Sequence, residues 1–312
     1  MVQRFPITLT QLVYFSECAK TLNMTAASQE LHVAQSAVST AITQLERSLG
    51  AALFIRQHSK GLVLTPSGER LLGDTQRLFG SLTSTIEGMR ADQHEVSGTI
   101  TVACFSTLAP FLIPELLGRL RRAHPALTVE VLEGDYDENL AALRGGRADL
   151  AVSYNLTEVD GISREIVREA RPHVILHTDH PLARRQKLAL AELADDPFVL
   201  LDMPSSSDYF LSMLVGAGVT PRLKYRSSSY ETVRSMVATG LGFSILNQRP
   251  RISETYTGAS TAIVEISDDV PSLEIAVSSL TQIHPSARAR AVAEVVRDLV
   301  REPRGTRASS TK

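Results

Sequence analysis

Between Gln35 and Leu49 the sequence lines up short hydrogen-bonding tips on one side of a helical pattern: Gln35, Ser36, Ser39, Thr40, Thr43, Gln44 and Arg47. On the other side Val38, Ile42, Leu45 and Leu49 recur at helical spacing and form an apolar stripe. Hydroxyls and amides of this kind can pair with base edges in the major groove of DNA without burying a charge. Arg47 lies late on the helix, where a backbone phosphate is the better partner. A second group follows in Arg56-Gln57-His58-Ser59-Lys60-Gly61. There Arg56, His58 and Lys60 suit phosphates or the minor groove. A polar helical face is most often simply solvated, so the neighbouring elements decide between the two readings.

A different chemistry gathers in three turns where strands give way to helices. They are Cys104-Phe105-Ser106-Thr107, Met203-Pro204-Ser205-Ser206-Ser207-Asp208 and Ser227-Ser228-Ser229. Each offers hydroxyls and helix N-terminal amides, which favour an anion such as a carboxylate. One serine before a helix is ordinarily a cap. Three such turns at strand carboxyl ends of an α/β domain make a binding cleft the better joint reading. The hydroxyls of these turns are the candidate contacts. Asp202 would accept a donor or orient Arg226, and Phe105, Leu132, Tyr154 and Phe243 would form apolar walls.

The elements that must position these residues are legible in outline. Residues 8–22 read as a helix capped by Thr8 or Thr10, followed by a short helix from Thr25 to Leu31 and a third over Gln35–Leu49 closed by Gly50. That order is a helix-turn-helix. Leu53–Ile55 and Leu62–Leu64 make a hairpin wing, and Pro66 opens a long helix running to about Gln93. Its Leu72, Phe79 and Ile86, with Leu82 and Met89 at the complementary offset, make a narrow heptad seam that predicts pairing with a second copy over residues 66–93. A dimer would place two reading heads on one duplex. Beyond Ser97-Gly98, strands and helices alternate, which predicts a mostly parallel sheet with helices on both faces. The strands are Thr99–Cys104, Leu127–Leu132, Asp149–Ser153, Val174–His177, Phe198–Leu201, Arg222–Arg226, Phe243–Leu246 and Leu273–Ser278. The helices are Leu108–Ala123, Glu138–Leu143, Tyr209–Val215, Glu231–Thr239 and Ser286–Val300.

Composition narrows the classes further. The chain of 312 residues is 43% hydrophobic and 21% charged, a globular composition with room for two or three domains. The formal net charge is −2, so DNA affinity must come from a few placed cations and not from overall charge. Residues 1–65 supply them: Arg4, Lys20, Arg47, Arg56 and Lys60 against Glu17, Glu30 and Glu46. No apolar run is long enough to span a bilayer, and Met1–Pro6 lacks the apolar core of a signal peptide, so the expected location is the cytoplasm with no membrane partner. Gly-x-Ser-x-Gly, His-Glu-x-x-His and phosphate-loop motifs are all missing, which argues against an enzyme and leaves a small-molecule-binding enzyme only as the alternative of a different class. His173, His177 and His180 lack metal-ligand spacing, so no metal or cofactor is expected. Cys18 and Cys104 are the only cysteines. A disulfide within the C-terminal domain is excluded, and a single-thiol redox sensor at Cys104 stays open as an alternative reading.

Ala26-Ala27, Leu31-His32-Val33-Ala34-Gln35-Ser36-Ala37-Val38-Ser39, Leu45-Glu46, Leu49-Gly50, Leu53-Phe54-Ile55-Arg56 and Leu64-Thr65-Pro66-Ser67-Gly68 together resemble the N-terminal signature of LysR-type transcriptional regulators. Short matches continue in His180-Pro181-Leu182 and Gly240-Leu241-Gly242-Phe243-Ser244. The resemblance implies an α+β multidomain protein. A winged helix-turn-helix would occupy residues 1–65 and a linker and dimerisation helix 66–96. A two-lobed α/β effector domain like the periplasmic binding proteins would occupy 97–302, with one lobe from about 97–168 and 269–302 and the other from about 169–268. A basic tail over 303–312 would follow. By motif position Thr25, Gln35, Ser36, Ser39, Thr40, Thr43, Arg56 and Lys60 would contact DNA, and Ser106, Thr107, Ser206 and Ser228, at positions that commonly touch effector in the family, would contact the small molecule. Many members carry arginine or lysine where His58 stands, so a phosphate contact there would be weaker or pH-dependent. The implied partners are double-stranded promoter DNA, a small-molecule effector, further copies of the chain up to a homotetramer, and RNA polymerase.

Overall fold

The computed structural model describes residues 6–57, 61–89, 96–205, 207–281 and 285–301. Two compact units emerge, Met1–Asp92 with Arg144–Arg147, and Gln93–Leu143 with Ala148–Lys312.

The first unit opens with α1 (Leu9–Thr21), α2 (Met24–Glu30) and α3 (Gln35–Leu49). Thr8 and Gln11 form a reciprocal capping box at the start of α1. Leu22 ends that helix in the left-handed conformation, and the Asn23 side chain accepts from the Thr25 and Ala26 amides to start α2. These caps set the angle at which three apolar faces meet. Leu12, Phe15, Cys18, Ala27, Val38, Ile42 and Leu45 are buried in one core. β1 (Phe54–Gln57) pairs antiparallel with β2 (Gly61–Leu64), Phe54 opposite Leu64, and Phe54 tucks under Phe15 at 5.5 Å between rings. Thr65 then caps α4 (Pro66–Met89) through the Gly68 amide.

On α4 Leu72 and Phe79 are half-buried and pack, with Leu71, against the three-helix core, while among the described side chains Leu78, Leu82 and Ile86, spaced i, i+4, i+8, are exposed; that of Met89 lies outside the described residues. Residues 90–93, the expected end of the helix, lie outside the described residues.

The second unit builds a five-stranded sheet and leaves it. β3 (Gly98–Phe105), α5 (Ala109–Ala123), β4 (Leu127–Gly134), α6 (Tyr136–Arg144), β5 (Leu150–Tyr154) and β6 (Ile162–Ala170) come first. The chain then forms β7 (His173–His177), β8 (Lys187–Leu188), β9 (Pro197–Leu201), α7 (Ser207–Gly216), β10 (Arg222–Ser227), α8 (Tyr230–Ala238), β11 (Ser244–Leu246) and β12 (Thr261–Ile266). It returns through β13 (Leu273–Leu280) and α9 (Ala287–Arg301). The strand order is β4-β3-β5-β13-β6 in the first sheet, and β11-β7-β12-β8 with a β10-β9 pair in the second. The expectation of a mostly parallel sheet holds for β4-β3-β5 and for β9-β10. It fails for β13, which runs antiparallel between β5 and β6, and for β7 with β11 and β12. β6, β8 and β12 escape the sequence reading because β6 alternates charged residues and β8 is only two residues long. Among the described residues no helix is long and apolar enough to cross a membrane.

Gly242 explains one of the short sequence matches. Its φ is +148°, and a Cβ there would overlap the Pro197 carbonyl. That close approach lets Phe243 donate to Pro197 O at 3.0 Å and accept from Val199 at 2.8 Å, stitching β9 to the start of β11. Gly242→Ala is therefore expected to destabilise this unit by about 3 kcal/mol. Urea denaturation should show a lowered transition for this unit, with that of the N-terminal helices unmoved.

Candidate functional site

The N-terminal unit buries only one side of α3. Val38, Ile42 and Leu45 are fully enclosed, while Gln35, Ser36, Thr40, Thr43, Gln44 and Arg47 are exposed and Ser39 is half-buried. The hydroxyl-and-amide face is thus available along most of the helix. Thr43 Oγ1 donates back to Ser39 O at 2.9 Å, which fixes its rotamer and turns its lone pairs outward. Ala34 precedes the helix with no side chain able to cap it, which leaves the first turn open to an anion such as a phosphate. Thr25 is exposed on α2. Arg56 is exposed on β1, whereas His58 and Lys60, the other wing candidates, lie outside the described residues.

Glu46, to which the sequence reading gave no role, is a positioning residue. It faces the wing, not the groove-facing side: one carboxylate oxygen accepts from the Leu53 amide at 2.8 Å and the Phe54 amide at 3.3 Å. The strand bearing Arg56 is thereby tied to the helix bearing Ser39 and Thr43. Charge-assisted bonds of this kind are stronger than neutral ones. Glu46→Ala is expected to lower the stability of the N-terminal unit by about 1–3 kcal/mol, read as an earlier urea midpoint.

In the second unit a narrow cleft opens between the two sheets, its enclosed space only about 20 Å³. Of the predicted effector residues, Phe105, Thr107 and Tyr154 line it. Phe105 and Tyr154 meet edge to face at 5.2 Å, at the carboxyl ends of β3 and β5. The other candidates are elsewhere. Ser106 is turned toward the Met203 sulfur at 4.0 Å. Asp202 accepts from Ser207 at 2.7 Å and pairs with Arg226 at 3.2 Å, the orienting role expected of it, and lines a separate depression with Pro204, Ser205 and Asp208. Ser228 is exposed while its neighbour Ser229 caps α8. Phe243 is buried against Phe198 at 5.1 Å, and Leu132 packs on the small-residue cluster around Ala103 and Ala151. Ser206 lies outside the described residues.

The cleft wall also includes residues that the sequence reading did not select, among them Met203, Phe210, Tyr230, Asn247 and Gln248. Strands followed by helices mark candidate turns, whereas β11 runs into a loop. The signal that could have found Asn247-Gln248 was a polar pair directly after an apolar strand. Gln248 donates to the Tyr154 hydroxyl at 3.1 Å, and the Tyr230 hydroxyl donates to Gln248 O at 2.6 Å.

The cysteine and histidine readings resolve on burial. Cys104 is fully enclosed, and burial, with the Glu133 charge adding, pushes its thiol up to about 12. A thiol held protonated and out of solvent is a poor nucleophile, which counts against redox sensing at this position. Among the described residues no three metal-ligating side chains converge. His173 is fully buried, His177 faces Asp179 at 3.9 Å and His180 faces Asp196 at 3.5 Å. Burial, then the nearby Arg249 charge, lowers the His173 pKa to about 3, against the opposing pull of the Arg171 backbone.

His173 is therefore neutral in the fold but takes a proton in the unfolded chain below its ordinary pKa of about 6.5. Its contribution is fully present above that value and is lost as pH falls from there toward 3. Denaturation at pH 7 and pH 5 should show this unit weakened by about 2 kcal/mol at the lower pH. His173→Phe should reduce that difference, and an unchanged difference would assign it to other groups.

An exposed hydrogen-bonding helix with a wing, joined to an α/β unit with an internal cleft, defines a DNA-binding sensor protein. Comparison with known proteins makes the class specific. Residues 9–69 match the family described as bacterial regulatory helix-turn-helix protein, lysR family, and residues 93–301 match the LysR substrate binding domain. The transcriptional regulator CfxR of Cupriavidus necator is 32% identical over 255 residues, 81% of this chain and 79% of its own length. HinK of Pseudomonas aeruginosa, described as a LysR family transcriptional regulator, is 33% identical, with a TM-score of 0.62 covering 94% of this chain and 98% of its own. A full-length OxyR variant from the same organism aligns with a TM-score of 0.76 at 25% identity, over 95% and 98% of the two chains. The chain belongs to the LysR family of transcriptional regulators, a family of DNA-binding, self-associating proteins and not of enzymes.

Proposed function

We propose that this regulator reads promoter DNA through Gln35, Ser36, Ser39, Thr40 and Thr43 on α3, with Thr25, Arg56, His58 and Lys60 holding the backbone, and that a small organic molecule in the C-terminal cleft controls it. The observation that carries the DNA reading is the one-sided burial of α3, whose exposed face offers hydrogen-bonding tips while its stripe anchors the core. Self-association brings a second head to the duplex, through α4 by way of Leu78, Leu82 and Ile86, and a homotetramer extends this to two pairs. Ligand binding changes the closure of the two sheets about the cleft and, through the oligomer, the spacing of the heads. It does so only as far as the ligand prefers one closure over the other. RNA polymerase is the downstream partner, in the cytoplasm.

The buried thiol of Cys104 gives the redox alternative no support. Whether the effector is a carboxylate or a neutral molecule turns on the chemistry of the cleft wall.

A gel shift with the upstream intergenic DNA tests the contacts. Arg56→Ala should weaken binding to all sequences alike and lower the slope of log affinity against log salt by about one. Ser39→Ala should weaken specific binding about tenfold and leave non-specific binding unchanged. Unaltered binding by both variants would reject the assignment.

A further inference from the structure

The chain's own side chains nearly fill the cleft of the C-terminal unit. Phe105, Thr107 and Tyr154 line it from the half built on β3 to β5, and Met203, Phe210 and Tyr230 from the half built on β7 to β12. The space they enclose, about 20 Å³, has room for one water. A site for a small organic molecule needs about 300 Å³ or more. The two halves must therefore part before such a molecule can enter, and the contacts that cross between them decide how readily they do.

Two of those contacts are linked. The Tyr230 ring on α8 meets Phe111 on α5 edge to face, with 5.5 Å between ring centres and 86° between planes. Gln248, just after β11, donates from Nε2 to the Tyr154 hydroxyl on β5 at 3.1 Å. The Tyr230 hydroxyl in turn donates to Gln248 O at 2.6 Å, so the two residues that reach across are bound to each other. Phe111 and Tyr230 are half-buried, whereas Gln248 and Tyr154 are buried. The pair of crossings thus has an outer, aromatic point and an inner, hydrogen-bonded point sheltered from water. Other crossings are weaker: Ser106 reaches the Met203 sulfur at 4.0 Å, and the bond from Ser205 to Asp137 at 3.2 Å is exposed.

We propose that Phe111, Tyr230, Gln248 and Tyr154 form a latch that holds the cleft shut, and that an effector gains its site by opening it. The inference rests on the reading of this unit as an effector domain and gives the movement a direction: the ligand parts the two halves and does not draw them together. An aromatic pair and a neutral hydrogen bond each favour the closed form by only about fivefold. A ligand that prefers the open form by more than the product of such factors shifts the balance.

A thiol placed in the cleft tests the latch. Thr107→Cys puts one on the wall just before α5, where methyl methanethiosulfonate should modify it slowly in the full-length protein. Phe111→Leu and Tyr154→Phe each remove one point while largely keeping the volume of the side chain. Each should raise the rate about fivefold, and the two together about 25-fold, because both act on one opening. The buried thiol of Cys104, followed separately by mass spectrometry, should stay unmodified over the same period. Should Tyr154→Phe fail to fold, Phe111→Leu at its half-buried position reads the same opening. Rates unmoved by the substitutions overturn the latch. So does a rate in the otherwise unaltered chain that already equals the rate in urea. Modification of Cys104 in step with the placed thiol in both variants overturns it too, since the core and not the cleft has then opened. The rates report closure and not what the cleft admits, so each of these failures leaves the effector reading standing.

Discussion

In the C-terminal unit the chain passes from one sheet to the other after Ala170 and comes back before Leu273, and a single amide joins these two passages. Asn247, just past the end of β11, holds Ala170 O directly and reaches Pro271 O through the Tyr209 hydroxyl, which donates to it at 2.8 Å. Burial raises the Tyr209 phenol well above its ordinary range, so it remains a donor across the physiological range of pH. The knot lies at the wall of the cleft, where Gln248, next in the chain, makes a further tie to the Tyr154 hydroxyl on β5.

The N-terminal unit meets the opposite constraint: it must leave one helix face uncovered. It does so by concentrating burial. Val38, Ile42 and Leu45 provide the anchoring of α3, with Phe15 and Phe54 beneath them, and Glu46 binds the wing through backbone amides. None of the exposed hydroxyl and amide side chains of α3 is asked to hold the fold, so that face can change without cost to the core.

Much of this is legible in the sequence. The helix-turn-helix, the wing and the alternation of strands and helices follow from periodicity and caps, because those signals are local. The antiparallel insertion of β13 was not legible, since strand direction depends on partners more than a hundred residues away. Cleft residues divided in the same way. Phe105, Thr107 and Tyr154 stand at strand ends and were readable, whereas Asn247 acquires its meaning only from Ala170 and Tyr209, which long-range folding brings to it. Phe243 looked like a wall residue by its position after a strand-like glycine pair. The overlap forbidden at Gly242 instead draws it into the core beside Phe198. In α4 local spacing could not tell that Leu72 and Phe79 also pack on the chain's own helices.

The two cysteines, inert in the folded protein, fall one to each unit: Cys18 beneath α1 and Cys104 on β3. Burial raises both thiols, Cys18 to about 11 and Cys104 to about 12. Neither can be alkylated until its own core opens. The regulator thus carries a latent tag in each half, and the rates at which an added maleimide claims the two sulfurs would separate the breathing of the reading head from that of the sensor within a single molecule.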